Sequence, residues 1–404
     1  MEALRQKGVD ARLFVAEKIT DSRFVELAAS KWIIKLAFLL ERLKIFISNG
    51  FNKNTLFKID TGDTGLPLYK KDFIRNADAI LLNWVNQGVL SLKGLDKILK
   101  LGKPVVWTMH DMWNMTGICH HAFECKHYVR DCGDCYLLGR CKGHKDLSRQ
   151  VWGKKDQVYK TAEGRKIKFV AVSNWLKDKA LASGLLGGTD VEVIPNPFHV
   201  DRKPIEKTHR YMGNQTKTVI LFGAARLDDP IKGLHILKLA TQIIRKDYPH
   251  IVSKLKLVMF GGIKDAHSLD GFQIPIEYVG MIRGEESLKE LYRQGDILVS
   301  SSSYETLPGT LVEAQAYGLI PISFNRGGQK DIIEHLDSGF LAEFDEDEDK
   351  RAHNLVDGIV WALGILKNEQ KHRALQDQMR ESVENKFSYG IIADKYISLI
   401  EKLS

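Results

Sequence analysis

The sequence predicts an α/β protein made of two doubly wound, Rossmann-like domains that face one another across a cleft. Three observations predict this fold. The 404 residues are too many for one hydrophobic core. Short β-branched or aromatic runs alternate with longer amphipathic stretches, as in βαβ units around parallel sheets. The stiff segment Pro195-Asn196-Pro197 divides the alternation into two halves. We therefore expect domains over residues 1–196 and 197–388, followed by a terminal helix over residues 389–404.

The predicted strands occur in both halves of the chain. Those of the first half are residues 11–16, 79–84, 104–109, 168–172 and 191–194. Those of the second half are residues 218–222, 255–260, 276–279, 297–300 and 320–324. The chain opens with a predicted helix, residues 1–7, where a doubly wound domain normally opens with a strand. A late start or a truncated chain would explain this order, so we expect the first strand of the N-terminal domain to be missing.

Composition narrows the class of protein and the compartment. The formal net charge is +8, which suits anionic substrates, an anionic membrane surface or nucleic acid. No recognition helix, zinc-finger helix or RNP-type sheet supports nucleic acid, so we expect no nucleic-acid partner. The sequence has neither a signal-peptide core nor an apolar stretch of transmembrane length. We expect a cytoplasmic protein, with a candidate peripheral location at the inner face of the cytoplasmic membrane.

One predicted helix is unusually apolar and basic. Residues 32–48 place apolar side chains at helical spacing over more than half of the circumference, interspersed with Lys35, Arg42 and Lys44. A helix of this kind can lie in a membrane interface. It can equally be a helix packed between the sheet and a neighbouring loop. The sequence leaves both interpretations open.

A loop between a predicted strand and a predicted helix carries two glutamates. Glu305 lies in the loop and Glu313 about two turns into the helix, so both can point into one cleft. N–H groups at the helix start can hold an anion, while carboxylates accept hydrogen bonds from ribose or hexose hydroxyls. An ordinary surface glutamate would give the same spacing. The loop residues that we predict to bind the donor are Thr306, Leu307 and Pro308.

Small residues and two cations follow the first predicted strand of the second half. Gly223 precedes Arg226, and Lys232 follows in the same segment. Small residues let the backbone approach a diphosphate, and the two cations offset the charge that grows on a leaving nucleotide. Either cation alone is more often solvated surface. Together they predict a phosphate-binding cleft.

All five cysteines lie between residues 119 and 141. The turn from Cys132 to Cys135 suits two thiolates of a tetrahedral zinc site, and Cys119 and Cys125 can supply the other two. Nearby histidines are substitutes, and isolated buried thiols or a redox pair are the alternatives. We favour a structural zinc that takes no part in catalysis, because such clustering rarely arises by chance.

The second half resembles the retaining, family 4 glycosyltransferases of the GT-B fold. Their pattern G-x-L-x(4-5)-K-G is loosely matched from Arg226 to Lys232, and their E-x7-E motif is matched by Glu305 and Glu313. Residues 194–197 resemble their I-P-N-G segment, with proline in place of the glycine. Thr306 stands where the family usually has Gly or Ser. The resemblance covers nearly the whole chain and is most specific over residues 218–333.

The resemblance implies a role for each candidate site residue. Arg226 and Lys232 would hold the donor diphosphate, Glu313 the nucleotide ribose and Glu305 the hydroxyls of the transferred sugar. His110 ends a predicted strand and matches the family's histidine near the donor sugar, although a structural histidine is the alternative. The resemblance further implies retention of anomeric configuration, no cofactor for catalysis, and a terminal helix that crosses back to the first domain.

We therefore expect a retaining, hexosyltransferase-type glycosyltransferase. It would move a sugar from a nucleotide-sugar donor to a saccharide or lipid-linked acceptor, in polysaccharide or glycolipid biosynthesis. A sugar-nucleotide epimerase is a related alternative that differs in its product. A catalytically inactive module that binds a sugar nucleotide or a protein partner is an alternative of another class. A basic nucleic-acid-binding protein is the third, and it predicts salt-sensitive affinity for strands without preference for sugar nucleotides.

Overall fold

A computed structural model of the chain describes residues 1–138, 146–160, 167–199 and 217–403. Cys141 lies outside these residues. The chain divides into two compact units. Unit 1 comprises Met1–Pro195 and Ile392–Ser404, and unit 2 comprises Asn196–Ile391.

Unit 1 contains two parallel sheets within the described residues. The strands are β1 (Leu13–Val15), β2 (Val25–Leu27), β3 (Ile80–Leu82), β4 (Val105–Met109), β5 (Ile167–Ala171) and β6 (Val191–Val193). The larger sheet has the order β3-β4-β5-β6. Every residue of β4 is buried, and four of its five residues are apolar, as is typical of a strand covered on both faces. The strand predicted over residues 11–16 is shorter and pairs with β2 in a separate two-stranded sheet, and β2 itself was not predicted.

Within the described residues, six α-helices of unit 1 precede unit 2 in the sequence. They are α1 (Glu2–Gln6), α2 (Lys31–Ser48), α3 (Asp72–Asn76), α4 (Leu92–Leu99), α5 (Leu147–Lys160) and α6 (Asn174–Leu181). Ser91 and Ser173 cap α4 and α6, since their hydroxyls accept N–H groups of the first turn. Among the helices that the structure describes, none combines the length and the apolar character that crossing a membrane requires.

Helix α2 buries two charged residues and leaves most of its large apolar residues exposed. Its buried side includes Glu41 and Arg42. Arg42 forms an ion pair with the buried Asp60 at 2.8 Å, and Glu41 accepts hydrogen bonds from the backbone N–H and the hydroxyl of Thr61. The outward side carries an exposed apolar row of Trp32, Leu36, Leu39, Leu43 and Ile47, which we call the outward row. The packed side of this helix therefore combines Glu41 and Arg42 with the apolar Ala37 and Ile45.

Unit 2 contains one parallel sheet of six strands within the described residues. The strands are β7 (Thr218–Arg226), β8 (Leu255–Gly262), β9 (Ile276–Gly280), β10 (Ile297–Ser300), β11 (Ile320–Phe324) and β12 (Phe340–Ala342). Their order is β12-β11-β10-β7-β8-β9. Strand β7 is longer than predicted, because its pairing with β8 continues from Thr218 through Arg226, with a register shift after Ala224. Strand β12 was not predicted.

Helices cover the sheet of unit 2 and continue into the last helix of the chain. They are α7 (Leu234–Asp247), α8 (Pro249–Val252), α9 (Glu285–Gln294), α10 (Gly309–Ala316), α11 (Glu348–Leu366), α12 (Glu369–Phe387) and α13 (Tyr389–Leu403). Apolar residues of α7 and α11 pack with those of the strands into one buried cluster that includes Ile236, Leu237, Leu355 and Ile359. These helices bury their apolar side chains, whereas α2 leaves most of its large apolar side chains exposed.

Most of the last helix belongs to unit 1. Ile392 and Leu399 of α13 pack with Val106 and Val170 of the unit 1 sheet in a separate buried cluster. The hydroxyl groups of Tyr396 and Thr108 form a hydrogen bond of 2.7 Å. The sheet of unit 1 is thus partly covered by residues that follow unit 2 in the sequence.

Candidate functional site

The candidate site in unit 2 lies at the ends of two neighbouring strands. In the strand order, β7 is the point of reversal, because the chain adds β8 and β9 on one side of it and β10, β11 and β12 on the other. Ligands of open α/β sheets bind beyond the carboxyl ends of strands at such a switch point. The segments that follow β7 and β10 are joined there, since the N–H of Ser303 donates to the carbonyl of Ile231 at 2.9 Å.

Lys232 and Glu305 form an ion pair at this point. Lys232 Nζ lies 2.5 Å from Glu305 Oε1, and the two side chains are 30% and 17% exposed. The backbone of the lysine is fixed as well, because the hydroxyl of Ser301 donates to the carbonyls of Lys232 and Gly233. Gly233 has φ +70°, and a Cβ there would stand 2.1 Å from the carbonyl oxygen of Ser301. The close approach of the two segments therefore requires glycine.

Arg226 has different partners in the structure. Its side chain is 40% exposed and lies 3.1 Å from Asp229 and 3.6 Å from Asp228. Asp228 also accepts the N–H groups of Lys264 and Asp265 in the segment after β8. The structure thus pairs the two predicted diphosphate ligands, Arg226 and Lys232, with separate carboxylates. An anionic ligand at Arg226 would compete with two aspartates.

Gly223 has a packing role that the sequence did not predict. We expected small residues there to let the backbone approach a diphosphate, in a loop after the strand. Gly223 instead lies within β7, and the ring of Phe260 occupies the space above it, so that a Cβ would come within 2.1 Å of Phe260 Cζ. A side chain at this position would displace the aromatic ring.

The loop that leads into α10 packs closely against the backbone of Gly328. The N–H of Gly328 donates to the carbonyl of Glu305 at 2.9 Å, and a Cβ on Gly328 would stand 1.8 Å from the carbonyl oxygen of Thr306. Leu307 and Pro308 are buried, and Pro308 immediately precedes α10. The first N–H groups of a helix have no partner within it, so the start of α10 can donate to an anion.

Glu313 lies inside α10 and is paired with a tyrosine. The hydroxyl of Tyr292 donates to Glu313 Oε2 at 2.6 Å. Burial raises the pKa of Glu313 and outweighs the hydrogen bond from Tyr292, which lowers it. Tyr292 in turn stacks on Tyr317, with ring centroids 5.5 Å apart. Sequence reasoning missed Tyr292, because no fixed spacing links it to the glutamate.

His110 follows β4 in unit 1. Burial lowers its pKa, against the charge of Asp111, which raises it, so the imidazole is neutral at neutral pH. Its Nε2 lies 3.3 Å from Oδ1 of Asn83, at the end of the neighbouring strand β3. The ring can therefore donate or accept a hydrogen bond at the carboxyl end of the unit 1 sheet.

Asp111, next to it, is the anchor of a buried polar group that the sequence did not reveal. It lies 2.8 Å from Nδ1 of His120, and it accepts the indole N–H of Trp84 at 2.9 Å and the backbone N–H of Trp113 at 2.8 Å. Burial alone would raise the pKa of Asp111, but these hydrogen bonds outweigh it and lower the pKa. The result is a fixed carboxylate beside His110.

The cysteines of the predicted zinc site lie in the segment after His110. Those that the structure describes, Cys119, Cys125, Cys132 and Cys135, are free thiols. Burial raises the pKa of Cys119 to about 12 and the pKa values of Cys132 and Cys135 to about 11. As the described residues stand, no group of three or more His, Cys, Asp or Glu side chains is arranged to hold a metal ion.

Comparison with known proteins relates the chain to glycosyltransferases. Residues 205–381, somewhat less than half of the chain, match the family described as "Glycosyl transferases group 1". Spore coat protein SA of Bacillus subtilis is 26% identical over 229 residues, which are 53% of this chain and 57% of that protein. A glycogen synthase of Thermodesulfovibrio yellowstonii is 25% identical over 240 residues, 56% of this chain and 47% of the enzyme. The chain thus spans about half the length of these curated relatives.

The fold has solved counterparts over most of its length. The HepE protein of Anabaena, crystallised in complex with UDP, matches with a TM-score of 0.56 at 16% identity, over 83% of this chain and 82% of that one. At this identity the likeness concerns the fold. The chain has the GT-B fold of two Rossmann-like units, and residues 205–381 are similar to the glycosyl transferases group 1.

Proposed function

We propose that this protein is a glycosyltransferase that moves a sugar from a nucleotide-sugar donor to a saccharide or lipid-linked acceptor. The observation that carries the proposal is the ion pair of Lys232 and Glu305 at the switch point of the unit 2 sheet, beside the start of α10. A cation and helix N–H groups suit a diphosphate, and a carboxylate suits sugar hydroxyls. The match to the glycosyltransferase family over residues 205–381 supports the same reaction.

Different groups of the donor would bind to different residues at the strand ends of the unit 2 sheet. Lys232 and Arg226 would bind the diphosphate, and Glu305, released from Lys232, would accept hydroxyls of the transferred sugar. Glu313 would accept ribose hydroxyls while Tyr292 fixes its carboxylate. For His110, in unit 1, the role near the donor sugar is the one that the family resemblance implies. These assignments extend the roles that the family resemblance implies.

We further propose that transfer retains the anomeric configuration, in polysaccharide or glycolipid biosynthesis. The bond between the anomeric carbon and the acceptor oxygen forms on the face from which the phosphate leaves. The acceptor hydroxyl gives its proton to the departing phosphate, and the products are the glycosylated acceptor and a nucleoside diphosphate. The protein contributes positioning and charge stabilisation, which are large terms in such reactions.

The test is a panel of UDP-, GDP- and ADP-sugars, scored by the melting temperature of the chain. A ligand that binds only the folded state at about 100 times its Kd adds about 2.7 kcal/mol of stability, so one donor class should give a clear shift. Lys232→Ala should abolish the shift. Lys246→Ala, which removes an exposed lysine of α7, should preserve it.

Product analysis with the selected donor completes the test. Transfer to a lipid-linked or saccharide acceptor, with the donor's anomeric configuration in the product by NMR, would support the whole proposal. Binding without transfer would indicate the inactive sugar-nucleotide-binding module instead. No shift with any donor, in a chain that unfolds cooperatively, would overturn the proposal.

The outward row of α2 supports a membrane location for the acceptor. Trp32 is 80% exposed, and Leu36, Leu43 and Ile47 are each more than half exposed. The exposed lysines of the same region are Lys31, Lys35, Lys53 and Lys58. Apolar side chains flanked by lysines suit the headgroup region of an anionic bilayer. We propose that this helix contacts the inner face of the cytoplasmic membrane, where lipid-linked acceptors would be reached.

Vesicle sedimentation tests the membrane proposal. The chain should bind vesicles that contain phosphatidylglycerol and bind pure phosphatidylcholine weakly, with binding reduced by salt. The double variant Leu36→Glu/Leu43→Glu should reduce binding at least tenfold, because it places two charges in the apolar contact. Ile19→Glu, at a position 91% exposed elsewhere in unit 1, is the matched control. Equal binding by all three proteins would contradict the proposal.

A further inference from the structure

Four cysteines of unit 1 converge on one small cavity. Cys119, Cys125, Cys132 and Cys135 all line a space of about 20 Å³ near the start of α5. Cys119 and Cys132 are buried and the other two are half-buried. A cavity of this size holds about one water molecule or one ion. Thiols from separate turns of the chain thus line one small cavity.

A backbone N–H group already points at one of the sulfur atoms. The N–H of Gly117 donates to Cys132 Sγ at 3.1 Å. A thiol is a weak acceptor, whereas a thiolate is a strong one, and N–H donors to sulfur are a common outer shell of metal–thiolate sites. This N–H is placed to stabilise a thiolate at Cys132, against the burial that favours the neutral thiol.

A buried ammonium group lies on the other side of the same loop. Lys155 of α5 is fully buried, donates to the carbonyls of Trp113 and Thr116, and stands 3.4 Å from the centre of the Trp113 ring. Within the described residues, no carboxylate forms an ion pair with it. Asp60 and Asp111 are also close enough to favour its charge, but Asp60 is paired with Arg42 and Asp111 with His120. A buried cation needs a compensating negative charge, and the cysteines are the groups placed to supply it.

We propose that Cys119, Cys125, Cys132 and Cys135 bind one zinc ion as a tetrathiolate, with Lys155 as its buried counter-charge. Binding releases four protons to solvent and leaves a centre of net charge −2, of which Lys155 offsets one unit. As the side chains stand, no three of them are arranged around one point, so the thiols must turn about χ1 into the cavity that they share.

The proposed zinc has a structural role and does not depend on sugar transfer. The cysteine segment packs tightly against its neighbours. A Cβ on Gly117 would stand 2.4 Å from the carbonyl oxygen of Ser148 in α5, and one on Gly184 would stand 2.0 Å from that of Arg130. Zinc would close this long segment, which has little regular structure, onto the helix behind it. The loop after His110 would then be held in one conformation.

The direct test is the metal content of the purified full chain. We expect one zinc per chain by mass spectrometry, and the intense visible absorption of tetrahedral cobalt thiolate when Co²⁺ replaces it. A chelator should lower the melting temperature, and added zinc should restore it. These measurements use the unaltered chain, so they do not depend on whether a variant folds.

Variants then assign the ligands. Cys132→Ser and Cys135→Ser should each weaken Co²⁺ binding at least tenfold and reduce the thiolate absorption. Cys141→Ser, the control, should leave both unchanged. A chain with no zinc and no cobalt–thiolate absorption, or one whose four cysteines are found as disulfides, would overturn the proposal. Loss of the absorption in the control variant alone would also overturn this ligand set.

Discussion

Two lysines of this protein show how differently a cation can be held. Lys232, at the strand ends of unit 2, is 30% exposed and paired with a carboxylate that a ligand can replace. Lys155, in the interior of unit 1, is fully buried and held by two backbone carbonyls and an indole ring. A ligand can change the contacts of Lys232 when it binds, whereas the fold itself fixes the contacts of Lys155. The partner of a lysine, more than its burial, indicates which work it does.

The largest effect that separates the two lysines should be on stability. Lys155→Met leaves the carbonyls of Trp113 and Thr116 without their donor, so we expect the free energy of unfolding of the metal-free chain to fall by about 3 kcal/mol. Lys154→Met is the matched control, because Lys154 is adjacent in sequence and forms only a partly exposed ion pair with Asp63. Urea denaturation measures both. Equal losses would show that the hydrogen bonds to the two carbonyls are not what distinguishes Lys155.

A smaller effect should appear in the pH dependence of stability. Burial lowers the pKa of Lys155 to about 7, against 10.5 for the free side chain. Above pH 7 the unfolded chain therefore holds a proton that the folded chain has lost, and the free energy of unfolding rises with pH by at most about 1.4 kcal/mol per unit. Below pH 7 this contribution has no slope.

The pH effect is measured by urea denaturation of the metal-free chain between pH 7 and 8.5. Thiols of the unfolded chain, with an ordinary pKa of 9.0, begin to titrate in this window in both proteins alike, so the difference between the two slopes isolates Lys155. Lys155→Met should lack the part of the slope that Lys155 provides. An identical slope in the two proteins would mean that the ammonium group stays charged in the folded chain.

The smallest effect on stability should come from the lysine of the candidate site. Lys232→Met removes a partly exposed ion pair, which is worth about 1 kcal/mol or less. The cycle with Glu305→Gln should give a coupling energy of the same small size. A loss as large as that of Lys155→Met would make Lys232 a structural residue and would remove the contrast between the two regions.

The sequence predicted the parts of the fold that depend on local periodicity. The alternation of apolar runs and amphipathic stretches located most strands of the two larger sheets, including β10, and it placed Glu305 in the loop and Glu313 in the helix that follow β10. The end of β7 was misplaced, because its extension to Arg226 depends on pairing with β8, which is not local. Strands β2 and β12 are three residues long and give little periodic signal.

The contacts of the candidate site depended on partners far away in sequence. The ion pair of Lys232 and Glu305 joins two segments that the sequence analysis had assigned to one cleft for separate reasons. Tyr292, the partner of Glu313, and Asp111, the centre of the group beside His110, could not be identified without coordinates. For α2, periodicity indicated an apolar helix but not which side it buries, since Glu41 and Arg42 find partners only in the folded chain.

The position of α13 bears on the order in which the protein is synthesised. Domains generally fold as units while the ribosome is still translating, with the N-terminal one first. Here Ile392 and Leu399, which cover Val106 and Val170, are translated only after the whole of unit 2. The nascent sheet of unit 1 must therefore wait with part of its apolar face uncovered, while unit 2 has all of its own residues earlier. Unit 1, most of which is translated first, is therefore the last to complete its packing.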